Sequence, residues 1–264
     1  MKKRSAYINF IDILAFLSGA LIVLAITWVF YSKVINKTKN IPTVQAPPNA
    51  EYLKPLPTFE DYEKAAEQGS TDAQYTLGLI HYKDQNYTEA AEQYRKAAEK
   101  GNAKAQYALG NRYYEGKGVK QSYEEAFKWF KMAAEQGDAE AQCHMGWMYE
   151  NARGVLRSDS EAVSWYTLSA EQGLARSQYY LGIKYAEGRG VSRSYTEAAK
   201  WYTLSAEQGH PGAQSTLGRI YHVGRGVPQS DSEAVKWLRL AAEQGDNVAK
   251  QYLEFMADQS LQSL

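Results

Sequence analysis

The chain contains a single cysteine, Cys143, among its 264 residues. One thiol cannot form an internal disulfide, and it cannot supply the several thiolates of a typical structural zinc site. The four histidines fall at four different positions of a repeat described below, so the repeat gives no reason for them to converge on a metal. We therefore expect neither a metal nor another cofactor.

The chain also lacks an excess of charge of either sign, with 30 basic and 30 acidic residues. Residues 1–40 contain six of the basic residues and only one acidic residue, Asp12, which leaves 24 basic and 29 acidic residues in the remainder. Nucleic-acid binding requires a basic surface that displaces counterions from the phosphates. We therefore expect no nucleic-acid partner.

Long apolar runs are absent apart from residues 13–31, ILAFLSGALIVLAITWVFY, which contain no charged side chain. As a helix this run nearly crosses the hydrocarbon core of a bilayer, and its aromatic far end is typical of the headgroup layer. A cleaved signal peptide is the alternative, because Ser18 and Ala20 have the spacing of a cleavage site. The apolar run continues well past Ala20, which favours an uncleaved transmembrane anchor.

The anchor separates an N-terminal tail, residues 1–12, from a stalk, residues 32–57, which contains five of the seven prolines. A proline-rich composition favours an extended, semi-rigid chain. Basic residues flank the anchor almost equally, so the positive-inside rule does not fix its orientation. Because a short N-terminal tail usually stays inside, we expect a single-pass protein of the inner membrane with its C-terminal part in the periplasm.

The next segment, residues 58–259, is built from repeats and is followed by a C-terminal tail, residues 260–264. The phrase WYTLSAEQG occurs twice, and the glycine that ends it and its variants recurs at a spacing of 32 and then 36 residues. A fixed period in this range indicates stacked units that cannot bury their apolar faces alone. The spacing gives five full repeats with a half-repeat at each end. The glycines are Gly69, Gly101, Gly137, Gly173, Gly209 and Gly245.

Each repeat has the pattern of a helical hairpin. Small and apolar residues recur at helical spacing before and after a turn such as GKGV, and the glycine of AEQG ends the second helix. We call a position that the repeats share a column. One column, in the first helix, is Gly78, Gly110, Gly146, Gly182 and Gly218.

Glycine inside a helix costs about 0.5–1 kcal/mol relative to alanine, so we expect the close approach of a neighbouring helix backbone at the glycine column. In the last half-repeat this column contains Glu254, which is typical of a polar cap. A second column places a tryptophan in the second helix, and we interpret it as interlocking core. Its members are Trp129, Trp165, Trp201 and Trp237.

The columns together resemble the Sel-one-like repeats, relatives of the tetratricopeptide repeats: LG followed by Tyr, then GxGV, then EA, Trp and AAEQG. The match extends from Phe59 to about Ala257. It implies an all-α, right-handed α-solenoid of helical hairpins that binds other proteins, often in bacterial envelopes. The first unit lacks the GxGV insert, and the third has Ala152-Arg153-Gly154 in its place; we expect neither departure to disturb the fold.

The sequence contains no motif that indicates catalysis. Some relatives have been linked to β-lactam hydrolysis, which requires a serine with a lysine three residues later, and no serine here has one. The glutamates lie at regular helix-start and surface positions, and a solenoid groove is open to water. We expect a protein that is not an enzyme.

Candidate partner-binding residues lie on the first helices, at positions that packing does not use and that differ between repeats. In the third and fourth repeats these positions include Cys143, which we interpret as a tolerated substitution in a tyrosine column. An unshared Trp147 is typical of a binding anchor on a concave surface, although it could instead fill a gap between adjacent first helices. The candidates are Trp147, His144, Tyr180 and Ile183.

A row of cations between the two loop glycines forms a second candidate site. Each cation follows a first helix, where a positive charge suits the carbonyl end of the helix. The functional alternative is an edge that faces an anion: a polysaccharide, a lipid headgroup or an acidic partner. The row consists of Lys117, Arg153, Arg189 and Arg225.

Three functions remain open. The first is a non-enzymatic, membrane-anchored scaffold or adaptor that binds another protein in the bacterial cell envelope. The second, implied by the resemblance, is an immunity or inhibitor protein that binds a secreted toxic enzyme. The third and weakest is a wall-active enzyme or β-lactam hydrolase. The sequence does not separate the first two, and it identifies neither the partner nor the pathway.

Overall fold

A computed structural model describes residues 57–262, which form α-helices joined by short turns. The predicted tail, anchor and nearly all of the stalk, residues 1–56, lie outside the described residues. Within the described range, none of the helices is long and apolar enough to cross a membrane. The anchor therefore stays a prediction from the sequence.

Residues 57–262 contain twelve helices. The last one continues to Gln262 and so includes the first residues of the predicted C-terminal tail. The helices are α1 (Phe59–Glu67), α2 (Thr71–Lys83), α3 (Tyr87–Glu99), α4 (Ala103–Glu115), α5 (Tyr123–Glu135), α6 (Ala139–Glu150), α7 (Asp159–Glu171), α8 (Ala175–Glu187), α9 (Tyr195–Glu207), α10 (Pro211–Val223), α11 (Asp231–Glu243) and α12 (Asn247–Gln262).

The helices pack almost entirely against their neighbours in sequence. Five hairpins, α2–α3, α4–α5, α6–α7, α8–α9 and α10–α11, form the five full repeats, and each second helix also packs against the first helix of the next repeat. Such local packing defines a solenoid. The predicted all-α solenoid with a half-repeat at each end, α1 and α12, is confirmed, whereas its right-handed sense stays a prediction.

Serines begin the second helices of repeats two to five. Each serine hydroxyl accepts a hydrogen bond from the backbone N–H of the glutamate three residues later, at 3.2–3.3 Å. This bond satisfies an N–H that the helix leaves unpaired, and the glutamate charge lies near the positive end of the helix dipole. The recurring Glu-Ala pair therefore marks the first turn of the second helix. The serines are Ser122, Ser158, Ser194 and Ser230.

A pair of glutamines within each repeat leads to a hydrogen bond with the preceding repeat. Gln136 Nε2 donates to Gln106 Oε1 at 2.7 Å, and Gln106 Nε2 donates in turn to the carbonyl of Ala98 at 3.1 Å. The same pairing recurs within repeats three, four and five, with distances of 2.7–2.8 Å. A buried amide must be paired, so these bonds account for the buried glutamine of each first helix and for the exposed glutamine that pairs with it. The later pairs are Gln172 with Gln142, Gln208 with Gln178, and Gln244 with Gln214.

The interpretation of the tryptophan column as interlocking core holds in part: each tryptophan packs against a core cluster, but the completely or almost completely buried residue is the next one along the helix. Trp165 is only partly buried and packs at the edge of the core of its own and the preceding repeat. The next residue, Tyr166, is completely buried. The same shift applies throughout, so the second helices centre the core on Tyr94, Phe130, Tyr166, Tyr202 and Leu238.

The glycine column makes room for these buried side chains. A Cβ at Gly146 would lie 2.6 Å from Cδ1 of Tyr166, and Gly182 has the same relation to Tyr202 at 2.7 Å. The predicted approach of a neighbouring backbone is therefore wrong for these positions, because the close neighbour is a ring of the second helix. A backbone approach occurs instead in the loop, where a Cβ at Gly154 would lie 2.3 Å from the carbonyl oxygen of Tyr123.

The two departures from the repeat pattern leave the fold intact, as predicted. The shorter first repeat turns at Gln85, which has a φ of 63°. In the third repeat Ala152 has a φ of 53°, whereas the equivalent Gly116 and Gly188 both have a φ of 71°. An alanine in this left-handed region is strained, so the turn of the third repeat is less favourable in free energy than the same turn with glycine.

Candidate partner-binding site

A pocket of about 150 Å³ opens between the first helices of repeats two, three and four, α4, α6 and α8. Three of the four candidates, Trp147, His144 and Tyr180, line it. Ile183 does not line it and packs instead against the core that contains Tyr202 and Leu217. The complete lining is Tyr114, Cys143, His144, Trp147, Arg176 and Tyr180.

Trp147 is half-buried and has two roles. Its ring meets Tyr114 of the preceding repeat edge-on, with centroids 5.7 Å apart. It also packs against the core clusters that contain Met145 and Tyr166. The tryptophan thus fills a gap between first helices, which was the structural alternative, and at the same time forms part of the pocket wall.

His144 is held in a neutral state. Its ring stacks on Phe130, with centroids 4.8 Å apart, and its Nδ1 lies 3.0 Å from the carbonyl oxygen of Glu140. A carbonyl can only accept, so Nδ1 carries the proton and Nε2 is left as an acceptor. Burial lowers the pKa of His144, because desolvation disfavours the imidazolium. The pocket therefore receives no positive charge from this residue near neutral pH.

The fourth repeat closes the pocket with Tyr180 and Arg176. Tyr180 lies against the buried ring of Tyr166, with centroids 5.2 Å apart, and burial raises the pKa of its hydroxyl. Nη2 of Arg176 bonds Oε2 of Glu140 at 2.7 Å, which links the fourth repeat to the third. The lining arginine is thus paired within the chain.

Cys143, expected on the unpacked face, is only 2% exposed. Burial raises the pKa of its thiol, so the thiol stays protonated and inert. Sequence reasoning missed the contributions of Tyr114 and Arg176, which come from the repeats on either side. A cysteine in a tyrosine column was the available signal, because a smaller residue at a packed position leaves space.

The row of cations lies against the beginning of the preceding second helix. Arg153 stands over the ring of Tyr123 at 5.0 Å, and Nη2 of Arg189 meets Oδ1 of Asp159 at 3.1 Å. Each contact joins neighbouring repeats, which favours a structural role for the row. An anion-facing edge stays a prediction. The other contacts are Lys117 over Tyr87 at 5.7 Å and Arg225 over Tyr195 at 5.0 Å.

A buried charge cluster at the junction of repeats three and four also escaped the sequence analysis. Lys184 is completely buried, and its Nζ meets Oε1 of Glu150 at 2.5 Å and Oδ1 of Asp159 at 3.1 Å. The hydroxyl of Tyr166 donates to Glu150 at 3.0 Å. These bonds satisfy a buried charge, so the cluster joins the two repeats. Residues 57–262 contain no group of three or more His, Cys, Asp or Glu that could hold a metal ion.

Comparison with solved structures places the fold among known repeat proteins. The chain is 39% identical to a protective antigen present in uropathogenic Escherichia coli strains, with a TM-score of 0.73 over 76% of this chain and 44% of that one. It is 37% identical to a Sel1 repeat protein from Oxalobacter formigenes, with a TM-score of 0.69 over 75% of this chain and 58% of that one. The chain thus spans about half the length of these two proteins.

An immunity protein from Pseudomonas aeruginosa is 18% identical, with a TM-score of 0.49, which is too distant to carry an argument about function. No curated protein matches the chain. The Sel1 repeat family matches six consecutive segments, residues 62–70, 71–102, 103–138, 139–174, 175–210 and 211–246. These segments cover well over half of the 264 residues, so the chain belongs to the Sel1 repeat family.

Proposed function

We propose that the protein is a non-enzymatic, membrane-anchored scaffold that holds another protein on the face of its first helices. Sel1 repeat proteins are protein-interaction scaffolds and are generally not enzymes. The observation that carries the proposal is the pocket between α4, α6 and α8, in which Trp147, His144 and Tyr180 meet.

The size and lining of the pocket favour a protein partner over a small-molecule substrate. Sites for drug-sized molecules measure about 300–1,000 Å³, whereas this pocket measures about 150 Å³, enough for one side chain. Tryptophan and tyrosine are the residues that most often dominate binding energy at protein interfaces. Because Trp147 and Tyr180 are already held by their neighbours, they lose little conformational freedom on binding.

The apolar run of residues 13–31 supports the membrane anchor, and the prolines of residues 32–57 support a stalk between membrane and repeats. In this proposal the chain spans the inner membrane of a bacterium once, and the repeats lie in the periplasm. A stalk of this kind would set the repeats away from the headgroups, where a second protein can reach the pocket.

Affinity capture with the full-length protein from detergent-solubilised membranes, quantified by mass spectrometry, tests the proposal. The wild type is compared with Trp147→Ala and with the control Leu79→Ala, which removes a 43% exposed side chain from the same column of the first repeat. A partner should bind Trp147→Ala more weakly by about 2 kcal/mol or more, roughly 30-fold, and should bind Leu79→Ala normally.

The identity of the captured protein distinguishes the two binding roles. A toxic enzyme that loses activity in the complex would make this chain an inhibitor, whereas an envelope protein that keeps its own activity would make it a scaffold. Equal recovery of every captured protein by the wild type and Trp147→Ala would refute the proposed surface.

A further inference from the structure

The pocket lies at a residue that is smaller than its counterparts in three of the other four repeats, the fifth having Ser215. Cys143 stands in a column that contains tyrosine in the first, second and fourth repeats. Each of these tyrosines packs its ring on the buried ring of the second helix of its own repeat. The pairs are Tyr75 with Tyr94 at 5.9 Å, Tyr107 with Phe130 at 5.7 Å, and Tyr179 with Tyr202 at 5.9 Å.

In the third repeat no ring reaches Tyr166 from this column, because Cys143 has no ring. Tyr166 keeps only the ring from the next repeat, Tyr180 at 5.2 Å, whereas Phe130 in the second repeat is covered both by Tyr107 and by His144 of the next repeat. Cys143 is buried, whereas the other five lining residues are partly exposed, so the cysteine forms the base of the pocket and the aromatic residues form its walls. The space above Cys143 thus corresponds to the place of the missing tyrosine ring.

The dimensions of the pocket fit an aromatic ring. A cavity of about 150 Å³ in another protein binds benzene, and this pocket has a volume of about 150 Å³. Aromatic walls also favour an aromatic guest, since edge-to-face and offset contacts between rings add to the gain from burial. Trp147 and Tyr180 provide such walls.

The charges around the pocket disfavour an acidic guest. Arg176 is paired with Glu140 at 2.7 Å, and burial keeps His144 neutral near neutral pH. An acidic side chain would therefore find no unpaired cation among the lining residues, and desolvation would oppose its entry.

We infer that the partner supplies a phenylalanine or tyrosine side chain, which takes the place that the column tyrosine occupies in the first, second and fourth repeats. This inference rests on the proposed function and adds the chemistry of the partner's anchor residue. The partner completes the aromatic packing of the third repeat from outside.

Two substitutions of Cys143 separate this inference from other forms of binding. Cys143→Ala removes the thiol and leaves the pocket open, whereas Cys143→Tyr removes the thiol and fills the pocket with the residue that three of the other repeats use. Both proteins are first checked for an unchanged melting temperature and helical circular dichroism. If Cys143→Tyr melts at a lower temperature, Cys143→Leu replaces it as the filled variant.

The probe is a random peptide library displayed on phage and selected on the full-length protein in detergent. Peptides selected on the wild type and on Cys143→Ala should share a phenylalanine or tyrosine at one position. They should bind the filled variant at least tenfold more weakly, and replacement of that aromatic residue by alanine should have the same effect.

Peptides without a shared aromatic residue, peptides that bind the filled variant equally well, or the absence of any selected peptide would overturn the inference. If binding survives in the filled variant but is lost in Trp147→Ala, the ring site is wrong and the proposed surface stands. If the peptides also bind Trp147→Ala as tightly as the wild type, both proposals fail.

Discussion

The glycine column provides a quantitative test of how each hairpin packs. A Cβ added at Gly146 would lie 2.6–2.9 Å from three ring carbons of Tyr166. Tyr166 is completely buried, so its ring cannot move aside without displacing other core residues. Overpacking of this kind costs about 1–3 kcal/mol, and the better helix propensity of alanine recovers at most about 1 kcal/mol. We expect Gly146→Ala to lower the free energy of unfolding by about 1–2 kcal/mol.

A double-mutant cycle identifies the ring as the cause. Tyr166→Ala alone should cost about 3–5 kcal/mol, as is usual for a buried large aromatic residue. In that background the ring is absent, so Gly146→Ala should instead stabilise the protein by up to about 1 kcal/mol. Urea denaturation gives the free energies, and hydrogen exchange should place the loss in the third repeat and its neighbours. The same destabilisation in both backgrounds would show that Tyr166 is not the obstacle.

Three further predictions follow from the backbone, the buried histidine and the anchor. Ala152→Gly should raise the free energy of unfolding by about 1 kcal/mol, because it relieves the left-handed alanine; an unchanged urea midpoint would contradict this. Burial lowers the pKa of His144, so the unfolded state binds the extra proton and stability should fall as the pH drops below about 6.5. His144→Gln should remove part of this loss of stability at low pH. If the melting temperature of the variant has the same pH profile as that of the wild type, His144 is not the cause. A C-terminal alkaline phosphatase fusion should be active, and an inactive phosphatase with a bright fluorescent fusion would place the repeats in the cytoplasm.

The repeats were predictable because spacing alone reveals them. Gly69 to Gly245 give the period, and the Ser–Glu pairs at the start of the second helices, such as Ser158 and Glu161, are local signals that need no tertiary information. The sequence pattern could not decide whether Trp165 or the adjacent Tyr166 is the buried core residue. Adjacent residues of a helix point about 100° apart, and both aromatic residues fit the same apolar stripe.

The pocket was predictable only in part. Trp147 and Tyr180 stood out because they depart from their columns, and the structure places both beside the same pocket. Tyr114 and Arg176 did not stand out, because their part in the pocket depends on how three repeats stack. The pairing of Lys184 with Glu150 was hidden for the same reason, since the two residues are 34 positions apart and belong to different repeats.

Site-specific photo-crosslinking in the cells that produce the protein tests most directly whether the first-helix face holds a protein partner. A photoreactive phenylalanine analogue replaces Tyr180 in the pocket or, as the control, Leu156, which is 88% exposed in the loop between α6 and α7. We predict a discrete crosslinked protein adduct from position 180 and none from position 156. Equal adducts at both positions, or none at position 180, would contradict the account.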